Sequence, residues 1–251
     1  MSIFYSSGCK GGTGKSLTSA VLADYLIASG LPVAIIEGDL GQPDIAQRFK
    51  EVPGIALRAV NLNRAGAAEA AVIKFAEALE GLGPEAEIVV NLPAAAGDTL
   101  DTMAGLLIEA GQSLGHDSYV YYSLGHQRTS SESAIRSLRE GLLGAVAPER
   151  RCIVYPLFLQ PESERFDFVR NGARAAFLSA GGLEAAMPAL RPESLVDKIL
   201  SLPGTFSALA KPESSLTFGE RLFFGRQWLP AAHQCVATLY PAPHQESENH
   251  G

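Results

Sequence analysis

Short apolar runs alternate with longer amphipathic segments up to about residue 160 of the chain. The runs are rich in Ile, Val, Tyr and Phe and end in turn-forming or polar residues, which is typical of buried strands in a parallel sheet. They are SIFYSSG, PVAIIEG, EIVVNLP, SYVYYSL and CIVYPLFL. Between them, apolar residues recur at helical spacing in SLTSAVLADYLIAS, AAEAAVIKFAEALE, DTLDTMAGLLIEAG and SESAIRSLREGLL. The alternation predicts an α/β fold with a doubly wound, mostly parallel sheet flanked by helices, whose ligands bind beyond the carboxyl ends of the strands.

The pattern is weaker in the last third of the chain. FDFVRNGARAAFLSA and ESLVDKILSL predict helices, and TFGERLFFGRQWL predicts a helix with four aromatic residues that ends near Pro230. This aromatic segment either packs against the sheet or forms a surface for a partner. Residues 241–251 are polar, contain two prolines and predict a disordered tail. Because neither a repeat nor a linker is visible, we expect one domain over residues 1–240.

Composition limits the classes of partner. The chain has 251 residues, 47% hydrophobic and 19% charged, with a net charge of -7. An acidic protein does not coat DNA indiscriminately, so contact with DNA is expected only indirectly or through a local patch. No apolar run approaches the roughly 20 residues needed to span a bilayer. Three scattered cysteines and a start without a targeting segment predict a cytoplasmic protein that does not associate with membranes.

The strongest chemical signal is SSGCKGGTGKSL, between the first predicted strand and the first predicted helix. It nearly fits the phosphate-binding pattern G-x-x-x-x-G-K-[ST], but Cys9 takes the place of the first glycine. Glycines let successive backbone N–H groups approach phosphate oxygens at a helix N-terminus. Lys15 would reach the β- and γ-phosphates, and the Ser16 hydroxyl would ligate Mg²⁺. We expect the nucleotide-binding residues to be Lys10, Gly11, Gly12, Thr13, Gly14, Lys15, Ser16 and Leu17.

The string KGGTGKS resembles the deviant Walker A motif of the ParA/MinD group of P-loop ATPases, whose signature lysine corresponds to Lys10. In that family the preceding position need not be glycine, so Cys9 departs from the standard motif and not from this one. The resemblance implies ATP as the nucleotide and an ATP-dependent homodimer, in which Lys10 of one subunit reaches the phosphates bound by the other. A second cation there would stabilise the charge that develops in phosphoryl transfer, which makes Lys10 a catalytic candidate.

The acidic cluster in VAIIEGDLGQPD follows the second predicted strand, where the family has a D-x-D segment. The resemblance implies that Asp39 orients the attacking water and the outer-sphere ligands of Mg²⁺, and that Glu37 occupies the first acidic position. Asp39 is thus a catalytic and metal candidate. The alternative is a solvated loop in which Asp44 caps the next helix.

The segment EIVVNLPAAAGD resembles the Walker B strand, but Asn91 stands where the family has aspartate. An amide oxygen can accept a hydrogen bond from a magnesium-bound water, although it carries no negative charge and holds the ion less tightly. Asp98 could substitute, but GDTLD also predicts that Asp98 caps a helix with Asp101 in its first turn. Because of Asn91, slow or absent ATP hydrolysis is an alternative to normal turnover.

These signals favour a ParA/MinD-like ATPase with weak activity, working as a nucleotide-dependent dimer switch in plasmid conjugation or DNA partitioning, together with another protein of that machinery. GHDSYVYYSLG and SSLTFGERL also resemble the TraL-like proteins of conjugal transfer. A non-hydrolysing nucleotide-binding adaptor, or a metabolic ligase or kinase of the same superfamily, are the alternatives. ATP rather than GTP rests on the resemblance, because the chain after CIVYP offers only Gln160 as an amide for reading the base.

Overall fold

The computed structural model describes residues 1–8, 11–62, 68–94 and 101–240. These residues form one sheet of seven parallel strands in the order β3-β2-β4-β1-β5-β6-β7. The strands are β1 (Ser2–Ser7), β2 (Val33–Glu37), β3 (Ala56–Ala59), β4 (Glu87–Asn91), β5 (Asp117–Ser123), β6 (Arg151–Pro156) and β7 (Leu183–Met187). The five strands predicted from apolar runs are confirmed. The sequence pattern missed β3 and β7, because they are the edge strands and are only partly buried, so neither needs a continuous apolar run.

Helices cover both faces of the sheet. They are α1 (Lys15–Ala28), α2 (Asp44–Phe49), α3 (Ala68–Glu80), α4 (Ala104–Ser113), α5 (Arg128–Glu140), α6 (Asp167–Arg170), α7 (Ala173–Ser179), α8 (Glu193–Ser201), α9 (Phe206–Leu209), α10 (Phe218–Phe223) and α11 (Leu229–Ala237). Helices α3 to α7 pack on the face that carries Tyr5 and Ile36. Helices α1, α2, α8, α9 and α11 pack on the face of Phe4 and Ile35. The predicted doubly wound α/β fold is confirmed, and none of the helices in the described residues is long and apolar enough to cross a membrane.

Two helix predictions need correction. FDFVRNGARAAFLSA forms two short helices, because Gly172 breaks it with a φ of +85° and the Asn171 side chain accepts from the N–H of Ala173. The aromatic helix does not end near Pro230. Phe224–Trp228 form one π-helical turn, and α11 continues to Ala237 with Pro230 in its first turn, where a missing N–H is tolerated.

The aromatic segment divides its side chains between the core and the surface. Phe224 and Trp228 are buried and stack with ring centroids 5.3 Å apart. Phe218, Leu222 and Phe223 are exposed. Packing on the sheet therefore accounts for one half of the segment, and the other half leaves an apolar surface.

A buried carboxylate ties the C-terminal helices to α1. Asp24 is fully buried in α1 and accepts hydrogen bonds from the backbone N–H and the hydroxyl of Ser207, both at 2.8 Å. The ring nitrogen Nε2 of His233 in α11 lies 2.7 Å from the same carboxylate. These contacts hold α9 and α11 in place on the helix that begins at the glycine-rich loop.

Replacing Asp24 by alanine should lower the free energy of unfolding by about 2–4 kcal/mol, because it removes a buried acceptor and leaves the half-buried donors of Ser207 without their partner. Urea unfolding followed by circular dichroism measures this change. Lys74→Ala is the control, since it breaks only an exposed ion pair with Glu77 and should not move the midpoint. Equal midpoints for the two variants would contradict the anchoring role of Asp24.

Candidate functional site

The carboxyl ends of three central strands hold the start of α1. The Ser6 hydroxyl at the end of β1 donates to the carbonyl of Lys15 at 2.9 Å. The hydroxyls of Ser123 in β5 and Thr18 in α1 are 3.2 Å apart. The third anchor is Asn91 at the end of β4, described below. Because these side chains fix the first turns of α1, they also fix the point at which the chain that leaves β1 enters the helix.

Glycine is required at two positions of this loop. A Cβ on Gly8 would lie 2.7 Å from the carbonyl oxygen of Ser123, and a Cβ on Gly14 would lie 2.8 Å from the Phe158 ring. Gly14 also has a φ of +87° and serves as the N-cap of α1, and because glycine has no side chain, no cap at this position competes with an anion for the N-terminus of the helix. Cys9 and Lys10 lie outside the described residues.

A cavity of about 380 Å³ opens at the start of α1, and its lining combines two unlike groups of residues. The first group, called here the polar end, is Gly11, Gly12, Gly14, Lys15, Ser16, Asp39 and Asp44. The second group, called here the apolar wall, is Phe158, Pro188, Leu190, Val196, Ile199, Leu200 and Trp228. Leu17 also lines the cavity, whereas Thr13 is buried and is not among its lining residues. The structure thus brings most of the predicted loop residues together with Asp39.

Sequence reasoning missed the apolar wall. Its one available signal was the helical spacing of Val196, Ile199 and Leu200, which also fits an ordinary core-facing helix. Gln160, the amide considered for reading a base, is not part of the wall; its oxygen accepts from the N–H of Glu162 at 3.4 Å.

Arg48 of α2 connects the helix that begins with Asp44 to α8, which carries part of the apolar wall. Its guanidinium donates to the carbonyls of Ile199, Leu200 and Gly204, and it lies 4.3 Å from the centre of the Phe206 ring. Burial lowers the pKa of Arg48 to about 10. The acidic segment that begins α2 and the C-terminal end of α8 are therefore fixed to each other.

Asp39 and Asp44 place two carboxylates at the polar end. One oxygen of Asp39 accepts from the N–H groups of Gly41 and Gln42 at 3.2 and 3.3 Å, which closes a turn. Asp44 is the first residue of α2, and the capping position before it belongs to Pro43, so the alternative that Asp44 caps this helix is wrong. Burial, and then the negative charge of Asp39, raise the pKa of Asp44. A cation at this end would relieve that repulsion.

Glu37, the last residue of β2, is fully buried and has all its acceptor positions used. Its Oε1 accepts from the N–H of Asp39 at 3.0 Å and from the Asn91 amide at 2.9 Å. Its Oε2 accepts from the N–H groups of Ile45 and Ala46 at 3.2 and 3.3 Å. Burial raises the pKa of Glu37, and these hydrogen bonds oppose the shift. Glu37 therefore holds the turn, the start of α2 and strand β4 together.

The Asn91 amide is oriented by this carboxylate. Its Nδ2 donates to Glu37 and lies 3.5 Å from the Ser16 hydroxyl oxygen, while its Oδ1 accepts from the Ser19 hydroxyl at 3.3 Å. Turning the amide over would set two oxygens against each other, so the neighbouring groups determine the assignment. The Asn91 atom nearest Ser16 is a donor, whereas a magnesium-bound water needs an acceptor. The role expected for Asn91 at the metal stays a prediction, and this orientation does not favour it.

Solved structures of similar shape share this arrangement of strands and helices. MinD from Aquifex aeolicus aligns over 98% of this chain and 100% of its own, with a TM-score of 0.53 and 16% identity. The same protein in a complex with MinC gives 0.55 and 14%, with 98% of each chain covered. The chain has the MinD fold of P-loop proteins. McdA from Cyanthece, in its apo form, aligns over 95% of this chain and 99% of its own, with a TM-score of 0.53 and 14% identity.

Similarity in sequence is confined to a short stretch. The MobD protein of Acidithiobacillus ferrooxidans is 44% identical over 50 residues, which are 20% of this chain and 22% of MobD. The match thus spans less than a quarter of that relative. No model of a known protein family matches the chain.

Replacing Gly14 by alanine should destabilise the protein for two separable reasons. The positive φ costs about 1–2 kcal/mol for a residue with a Cβ, and the overlap with Phe158 adds to it. In the double variant Gly14→Ala/Phe158→Ala the overlap is removed and the backbone cost remains, so the melting temperature should recover in part. Gly105→Ala in α4 is the control, because its Cβ would meet no atom within 4 Å. A Gly14→Ala variant as stable as wild type would show that the loop has another conformation.

Proposed function

We propose that this chain is a ParA/MinD-type ATP-binding protein with weak ATPase activity, which acts as a nucleotide-dependent dimer switch. The observation that carries the proposal is the cavity with a glycine-rich, cationic end and an apolar wall. Phosphates would fit the polar end, through the Lys15 ammonium and the backbone N–H groups at the N-terminus of α1. A purine base would fit the apolar wall, where it would contact Phe158, Leu190 and Trp228.

The polar end also suits Mg²⁺ as the partner of the phosphates. The Ser16 hydroxyl and the Asp39 and Asp44 carboxylates supply the oxygen ligands, direct or through water, that this ion prefers. In the described parts of the chain no three His, Cys, Asp or Glu side chains converge to hold a metal, so the phosphates would supply the remaining ligands. When bound, the ion would neutralise phosphate charge. We assign to Asp39 the positioning of the attacking water.

Asn91 favours a second candidate, a nucleotide-binding adaptor that does not hydrolyse. Its amide presents a donor near Ser16, where an acceptor would strengthen the hold on the ion. The two candidates differ in turnover. Phosphate release above background from Mg²⁺-ATP, lost in Asp39→Asn, supports the ATPase, and tight binding without release supports the adaptor.

Dimer formation and cellular process rest on the resemblance to ParA/MinD proteins. We assign to Lys10 a contact across an ATP-dependent homodimer, and to the whole protein a cytoplasmic role in plasmid conjugation or DNA partitioning with a protein partner. The likeness to MobD over 50 residues does not cover enough of either chain to name the process.

Binding of ATP should change the fluorescence of Trp228, which is the only tryptophan in the chain and lines the apolar wall. Lys15→Ala should weaken ATP binding by about 100-fold, since it removes a buried cation at the phosphate end. Tripolyphosphate should compete with ATP and leave the emission of Trp228 nearly unchanged. If ATP in millimolar excess gives no saturable signal and no heat in calorimetry, the nucleotide assignment fails.

Light scattering tests the assigned role of Lys10. Wild-type protein should double in mass with Mg²⁺ and a non-hydrolysable ATP analogue, and not with ADP. Lys10→Ala should stay monomeric and still give the Trp228 binding signal, because its contact is made to the other subunit's phosphates. Lys211→Ala is a matched control on an exposed lysine that follows the C-cap of α9. A Lys10→Ala variant that dimerises like wild type rules out the cross-subunit contact.

A further inference from the structure

Glu37 and Asn91 form a pair across two neighbouring strands. They are the last residues of β2 and β4, stand opposite each other in the parallel register and are 0% and 1% exposed. The hydrogen bond from the Asn91 amide to the Glu37 carboxylate is 2.9 Å long. One member is charged and the other neutral, in a place that solvent does not reach.

The neutral member stands on the strand where the sequence led us to expect an aspartate. Of the two acidic positions that the resemblance implies here, the chain keeps only the one on β2, Glu37. Asn91 bridges the two places, because the amide that donates to Glu37 also lies 3.5 Å from the Ser16 hydroxyl. A charge in the interior acts over a longer distance than an exposed one, since salt and water screen it less.

Resting on the function proposed above, we propose that Glu37 and Asn91 are a one-charge pair, in which Glu37 alone supplies the negative charge for the Mg²⁺ end of the phosphate site. Glu37 is a positioning residue, because its four hydrogen bonds keep it from ligating the ion directly. Asn91 is the donor that aligns the carboxylate. The site needs one charge in this pair, on either strand.

If the pair carries a single charge, a specific effect of Asn91→Asp follows. Aspartate at position 91 would set two carboxylates against each other at the 2.9 Å contact, with the hydrogen bond lost. Restoring the aspartate alone should therefore damage the protein. The reciprocal exchange, Glu37→Gln with Asn91→Asp, keeps one charge and one amide donor and costs only the fit of the Asp39 N–H.

The experiment is a double-mutant cycle with two readouts. The first is the melting temperature without nucleotide. Glu37→Gln and Asn91→Asp should each lower it by roughly 5 °C or more, and the exchange variant should recover at least half of the loss. The second is the ratio of the ATP dissociation constant in EDTA to that with Mg²⁺, from Trp228 fluorescence. Glu37→Gln should reduce this ratio about tenfold, and the exchange variant should restore it.

Glu87→Gln is the matched control. Glu87 is a buried carboxylate at the opposite end of β4, where it accepts from the N–H of Ser2 at 2.8 Å. It should cost stability and leave the Mg²⁺ ratio unchanged. If the exchange variant is no more stable than the weaker single variant, or if Glu37→Gln keeps the wild-type ratio, the pair is not a one-charge unit. If wild-type protein does not bind ATP, the proposed function fails, and the melting temperatures still decide whether the pair is coupled.

Discussion

The structure depends on how polar groups are satisfied at the buried carboxyl ends of its parallel strands. Helices cover both faces of this sheet, so a strand that ends in the interior must find partners for its last side chain and backbone groups. Ser6, Glu37, Asn91 and Ser123 meet this requirement by bonding to the start of α1 or to one another. The position of the glycine-rich loop follows from these bonds, since they fix the helix that the loop must enter.

Hydrogen bonds of Glu37 and Arg48 also position the two groups of residues that line the cavity. Glu37 holds the start of α2, and with it Asp39 and Asp44, at the polar end. Arg48 at the other end of α2 holds the C-terminal end of α8, which carries part of the apolar wall. A helix of six residues thus connects the acidic segment to the wall. Movement of either end of α2 would affect the other, because Glu37 and Arg48 are both buried side chains that are fixed by several hydrogen bonds.

Residues in continuous apolar runs were predictable, and residues whose role comes from a neighbour were not. The five central strands could be predicted because both of their faces are buried, which requires continuous apolar runs. Strands β3 and β7 lie at the edges of the sheet and need only a partial apolar pattern. The end of the aromatic helix was misjudged because a π-helical turn accommodates Pro230, and such a turn leaves no mark in the local pattern. Trp228 looked like core, and only its position shows that it also lines the cavity.

The sequence by itself determined the fold class, the glycine-rich loop and the place of the acidic segment, because each depends on residue types at short, fixed spacing. Only the tertiary structure decided what Asn91 does. In the sequence, Asn91 is seen only as an asparagine at a position where aspartate is expected. In the folded protein it faces Glu37, which is 54 residues away and opposite it in the sheet. Strand register brings such residues together, and spacing along the chain does not record it, so the pairing of Asn91 with Glu37 could be seen only in the folded protein.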